Sequence, residues 1–168
     1  MKITKSRLQQ IIKEEIQAEM KKNIAYSGVV LDDKSVEKLK AAAKAIGVPE
    51  GFVFKTNAGA PLPHHMTIVA FKPIVYSKGN KSHDFSEHYP VGGEVTLTVT
   101  HIGFDNEAMA AKVDPPGPIS TKRINFPHIT IAIREGGKPS NSNDILDKNF
   151  QKVEEFEVTG TVQEVPQG

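Results

Sequence analysis

The sequence predicts an α+β fold made of one domain and a short N-terminal appendage. Three observations carry this. Six or seven short runs of apolar and β-branched residues recur along the chain. Only two stretches repeat apolar residues at helical spacing. Clusters rich in Gly, Pro and Asp separate these elements. The 168 residues, 38% of them hydrophobic, suffice to bury a core without disulfides or metal.

Residues 3–22 come first. Leu8, Ile11, Ile12, Ile16 and Met20 recur at helical spacing among Lys, Glu and Gln. Ser6 followed by Gln9 fits a capping box. The apolar stripe is narrow, which suits docking on a protein partner, a second copy or the domain edge. Residues 1–22 are therefore assigned to an N-terminal amphipathic helix, and residues 23–168 to the globular domain.

In that domain, residues 25–32 (AYSGVVLD) predict a strand. Val36, Leu39, Ala43 and Ile46 then predict a helix that stops at Gly47. Phe52 to Phe54 fits a short strand and residues 57–63 (NAGAPLP) a loop. His65 to Phe71 fits a strand, and residues 77–93 a long polar loop carrying His83, His88, Lys78 and Lys81. Val95, Leu97 and Val99 alternate with threonines, a strand pattern. Asp105–Asn106–Glu107 turns into a further strand from Ala108 to Val113, and DPPGP at 114–118 is a hard stop. Strands at 129–133 and 156–162 complete the chain, with one helical turn at 143–147.

Composition excludes several functions. A formal net charge of +1 argues against holding long nucleic acid by bulk charge, and leaves a short or single-nucleotide ligand open. There is no cysteine, so disulfide frameworks, thiolate zinc sites and cysteine nucleophiles are excluded. No apolar run approaches the roughly 20 residues of a membrane span, and the N-terminus lacks a secretory pattern. No membrane partner and a cytoplasmic location are expected.

A short repeat carries the functional signal. His65-Met66-Thr67-Ile68-Val69-Ala70 and His128-Ile129-Thr130-Ile131-Ala132-Ile133 match at His, Thr and Ile. Strand alternation sends His and Thr, at i and i+2, to one face. Met66, Ile68 and Ala70, and Ile129, Ile131 and Ile133, are expected on the other face as a buried back. Two such strands together form a cleft with two imidazoles and two hydroxyls. One neutral imidazole takes a proton from an attacking hydroxyl or water, and the other, protonated, gives one to a leaving oxygen. The Thr hydroxyls hydrogen-bond phosphate oxygens. Acid and base are then both protein groups, so no metal and no cofactor are expected.

Paired His-x-Thr strands about this far apart resemble those of the 2H phosphoesterase superfamily. Its members include RNA 2′,3′-cyclic phosphodiesterases of the 2′-5′ RNA ligase type and cyclic phosphodiesterase domains of tRNA ligases. They also include viral 2′,5′-phosphodiesterases and phage anti-CBASS enzymes that cleave cyclic oligonucleotide signals. The resemblance covers residues 24–165. It implies a bilobal α+β fold with two pseudo-symmetric sheet lobes around a central groove. It implies catalytic roles for His65 and His128 and phosphate contacts for Thr67 and Thr130. Residues 1–16 resemble leader helices of phage-encoded proteins. That inclines the expected substrate toward a cyclic nucleotide or cyclic oligonucleotide signal, with a 2′,3′-cyclic phosphate on a short RNA end as the alternative. A module that binds a nucleotide or RNA end without turnover is the rival from another class.

Four further residues are candidate nucleotide contacts. Tyr26 has an aromatic face and a polar handle, Phe126 sits two residues before His128, and Lys122 and Arg123 suit a second phosphate. His64, next to His65, is expected on the opposite face of its strand.

Overall fold

The computed structural model describes residues 4–167. Helix α1 (Lys5–Lys22) leads into β1 (Ile24–Leu31), and α2 (Asp33–Ile46) follows. Next come β2 (Phe52–Val53), β3 (His65–Ala70), β4 (Val75–Lys78), β5 (Lys81–Asp84), β6 (Glu94–Phe104), β7 (Ala108–Asp114), β8 (His128–Arg134) and β9 (Phe150–Pro166). Two short 3-10 turns, Pro139–Asp144 and Asp147–Asn149, link β8 to β9.

Helix α1 is capped by Thr4, whose hydroxyl accepts from the Arg7 amide at 3.2 Å; the Ser6–Gln9 box is not used. Leu8 and Ile12 remain about half exposed on it. Helix α2 starts where Asp32 accepts from the Ser35 amide at 2.7 Å. It ends at Gly47, whose φ of 111° is open only to glycine without strain. No helix among the described residues is long and apolar enough to cross a membrane.

Seven strands form one antiparallel sheet in the order β2-β8-β3-β1-β9-β6-β7, and β7 also pairs with β8. Six strands thus close on themselves like a barrel. The expected pair of separate lobes is instead a single closed sheet. Its weakest closure is β3 to β8, joined through the single pair Met66–Ile129. Val29, Met66, Ile68, Leu97, Val99, Ile129 and Ile131 share one continuous buried cluster with Leu39 and Ala43 of α2.

Two expectations are corrected. The stretch 77–93 is not all loop: β4 and β5 make a two-stranded hairpin around Gly79. The polar side chains there hid the strand pattern, because both faces of the hairpin are largely solvated. The last strand starts at Phe150, not Phe156, and reaches Pro166, because it pairs with β1 at one end and β6 at the other.

Candidate active site

The site is built at the β3–β8 seam. With Met66 opposite Ile129 in an antiparallel pair, Thr67 falls level with His128, and His65 with Thr130. The two imidazoles and two hydroxyls therefore sit crosswise about the Met66–Ile129 pair. That pair itself is fully buried on the other face.

The repeat extends further than its letters. In β3, Thr67 pairs with Gly28 and Val69 with Ser27, leaving Ile68 as the extra residue of a bulge. In β8, Thr130 pairs with Ala110 and Ala132 with Met109, leaving Ile131 in the same role. Each bulge directly follows the threonine. Past it the alternation flips. Val69 and Ala132, next after the bulged isoleucines, are buried, and Ala70 and Ile133 return to the His–Thr face, opposite Tyr26 and Ala108. The expectation that Ala70 and Ile133 continue the buried back is therefore wrong. Simple period-two counting does not foresee a bulge.

The two histidines are held differently. His65 Nε2 lies 3.0 Å from Thr67 Oγ1, and its Nδ1 lies 3.1 Å from His64 Nδ1. The Tyr26 ring stacks on it at 3.9 Å, and the Tyr26 hydroxyl is 3.3 Å from His64 Nδ1. Burial, then the neighbouring His64 and His128, push the His65 pKa down to about 3, so its resting form is neutral. Burial alone lowers His64 and raises the Tyr26 phenol to about 12. Tyr26 reaches His65 because Gly28 has no side chain. A Cβ there would meet the Met66 carbonyl at 2.5 Å and the Tyr26 ring at 3.3 Å.

His128 Nδ1 instead donates to the Phe126 carbonyl at 2.8 Å, which leaves Nε2 for chemistry. Burial lowers its pKa, and the carbonyl opposes the shift by favouring the protonated ring. Thr130 Oγ1 donates to Ser142 Oγ at 2.9 Å, with the Pro139 carbonyl 3.3 Å away. Ser142 is fully buried.

Residues 71–167 match the family described as the fungal tRNA ligase phosphodiesterase domain. The match spans more than half of the chain. The protein belongs to this phosphodiesterase family. No curated protein matches the sequence. The matched segment holds His128 and Thr130 and begins after His65 and Thr67, so the first histidine strand joins the site by geometry alone.

The seam gathers the other expected residues of this phosphodiesterase-family domain unevenly. Tyr26 is in the site, but its ring braces His65. Phe126 lies 4.8 Å from His128 and edge-on to Phe150, so it packs behind the histidine. Lys122 and Arg123 lie outside the crosswise four, in a neighbouring pocket with Lys72 and Lys78. His83 stacks on Tyr76 of the hairpin, and His88 lies beside Glu87 and Gly117, so neither approaches His65.

His64 is the main miss. It precedes β3 rather than alternating within it, so it turns toward His65 instead of away. Ser142 was also unseen, and no local pattern marks it. Gly28 did carry a signal, since a glycine inside an apolar strand marks a close approach.

Proposed function

We propose that this protein is a metal-independent phosphodiesterase that opens a 2′,3′-cyclic phosphate on an RNA end. The observation that carries this reading is the crosswise seam of His65, Thr67, His128 and Thr130. The family description, which names a tRNA ligase domain, supports an RNA end ahead of the cyclic oligonucleotide signal expected from the sequence. The resemblance of residues 1–16 to phage leader helices contributes no residue to the seam.

The geometry supports the following course for the reaction. A cyclic phosphate seats between the strands, with Thr67 and Thr130 at its non-bridging oxygens. His65, neutral at rest, takes a proton from a water that attacks phosphorus. One ring P–O bond breaks, and the protonated His128 gives its proton to the departing ribose oxygen. The product is a terminal phosphate monoester, and both histidines end in exchanged protonation states. His128 takes the acid role because the Phe126 carbonyl steadies its imidazolium. His65 takes the base role because burial keeps its ring neutral at rest, with a lone pair open to a proton.

Hydrolysis in EDTA tests this directly. The panel holds 2′,3′-cyclic mononucleotides, an oligoribonucleotide with a 2′,3′-cyclic end, cyclic di- and trinucleotides, and linear dinucleotides. The expected outcome is turnover of the 2′,3′-cyclic substrates in EDTA, abolished in His65→Ala and His128→Ala. Turnover of the cyclic di- or trinucleotides alone returns the protein to the signal-cleaving reading. Binding of RNA ends with no turnover by a folded protein identifies a binding module. Activity that needs added metal overturns the two-histidine mechanism.

A further inference from the structure

The groove has two ends, and they differ in kind. At the His65–Thr130 end, Ile133 returns to the groove face and packs with Leu62, Ala108, Ala110 and Ile145, all buried. Apolar side chains line that end. At the Thr67–His128 end, Ala70 returns to the groove face opposite Tyr26 and borders a pocket of about 580 Å³. Phe71, Lys72, Tyr76, Lys78, Lys122 and Arg123 line it. The loop carrying Lys122 and Arg123 is tied alongside β3 by the Ser120 amide, which donates to the Ile68 carbonyl at 2.8 Å. At the rise of a strand, Ala70 lies about 10 Å from Thr67.

This pocket lacks a counter-charge. Among the described residues, none of its four cations pairs with a carboxylate. Contact with Lys78, and the charges of Lys78, Lys72 and Arg123, lower the pKa of the Lys122 ammonium. Bringing an anion among them relieves that repulsion. Phe71 adds a second, independent feature. Its φ of 60° is rare for a bulky residue, and it leaves the ring 54% exposed beneath the Arg123 guanidinium at 5.1 Å.

We propose that this pocket is the subsite for the nucleotide on the 5′ side of the reacting one. Its phosphate lies among Lys72, Lys78, Lys122 and Arg123, and its base stacks against Phe71. The inference rests on the RNA-end reading, because a 2′,3′-cyclic end has its only neighbour on the 5′ side. The apolar end offers a phosphate no charged partner, so a bound strand leaves by the basic one. The enzyme is thereby selective for oligonucleotide ends over mononucleotides, despite its near-neutral net charge.

The test compares a 2′,3′-cyclic mononucleotide with a trinucleotide carrying the same end, on the full chain and on Lys72→Ser/Lys78→Ser. Both lysines are exposed, so the double variant keeps the fold. Wild type is expected to favour the trinucleotide in kcat/KM by about tenfold at low salt, a preference that fades as salt rises. The double variant is expected to lose most of that ratio, and its salt slope to shallow by about 0.7 for each lysine–phosphate pair removed. Equal kcat/KM on both substrates in wild type, or an intact ratio in the variant, overturns the subsite and leaves the RNA-end reading standing. Should neither cyclic substrate turn over, fluorescence anisotropy with a labelled trinucleotide 3′-phosphate decides. Binding that weakens about tenfold in the double variant keeps the subsite and removes the reading. Binding that the variant leaves unchanged removes the subsite.

Discussion

The two histidine strands share letters, spacing and even a bulge, yet they hold their histidines and threonines by opposite means. In β8 the support comes from behind. A backbone carbonyl fixes His128 Nδ1, and a buried serine fixes Thr130, so Nε2 is free before substrate arrives. In β3 the support comes from side chains within the groove. His65 is stacked by Tyr26, contacted by His64 and engaged with its own Thr67. A phosphate that takes the Thr67 hydroxyl must therefore break the His65–Thr67 contact. The comparison teaches that a sequence repeat sets which groups face the groove, while the neighbours of each copy set their protonation and readiness. His128 is pre-organised and His65 is organised by binding, while each threonine must turn its one hydroxyl proton from its resting partner to the phosphate.

The largest expected effect tests whether the halves also divide the chemistry. His65→Asn and His128→Asn should each lower kcat by about 10²–10⁴-fold, the usual worth of a positioned acid or base. The pH profiles should then separate them. Wild-type kcat/KM against pH should be bell-shaped. Loss of His65 should flatten the limb that falls toward acid, where a base is protonated. Loss of His128 should flatten the limb that falls toward alkali, where an acid is deprotonated. The reverse pattern would exchange the two roles and leave the two-histidine scheme intact.

The threonines come next. Thr67→Val should cost about 10–100-fold in kcat/KM and little stability, since its partner in the resting state is a groove side chain. Thr130→Val should cost a similar factor and also lower stability by about 1–3 kcal/mol, because Ser142 is left buried without its donor. Activity assays and denaturant melts of both variants check the contrast. Equal stability losses would show that the buried bracing of β8 is not distinctive.

Acid sensitivity should also divide unequally. A histidine whose folded pKa lies below its unfolded value of about 6.5 binds its proton more readily when unfolded. Stability is therefore retained above pH 6.5 and declines as pH falls through the window toward about 3, where His65 finally titrates in the fold. For one such group the slope is at most about 1.4 kcal/mol per pH unit. His65→Gln should remove more of this decline than His128→Gln, because the Phe126 carbonyl offsets part of the shift at His128. Melts of the three proteins between pH 7 and 4 measure it. A larger relief from His128→Gln would mean that His65 is less isolated from water than its neighbours imply.

The repeat is legible because strands print their alternation directly: His65 and Thr67 share one face of their strand, and His128 and Thr130 one face of theirs, while from the sequence the meeting of the two strands rests on the family resemblance. The strand alternation at 95–99 and the α2 stripe were legible for the same reason. What failed lay beyond a local period. The bulges at Ile68 and Ile131 flip Ala70 and Ile133, and only pairing partners reveal a bulge. No local pattern ties Lys72 and Lys78 to Lys122; the hairpin and the loop at 120–123 bring them to one pocket. Ser142 is polar and buried through a contact 12 residues away in sequence, which no window of pattern captures.

The smallest effect concerns His64, and it separates a brace from a bystander. His64 contacts His65 Nδ1 and the Tyr26 hydroxyl, and its charge is one of the causes that lower the His65 pKa. It has no place at the phosphate, so it acts as a positioning residue. His64→Gln should lower kcat by roughly threefold to tenfold, the cost of a base held less firmly, with KM nearly constant. The informative readout is the acid limb of kcat/KM. Removing His64 takes away one depressing charge, so the His65 pKa rises and activity should fall away at a higher pH than in wild type. A residue that merely packs would lower activity equally at every pH. Because β8 has no counterpart to His64, the alkaline limb set by His128 should stay in place while the acid limb moves. Movement of both limbs together would show that the two histidines titrate as one coupled pair, and the division of labour between the strands would then belong to the pair rather than to either copy.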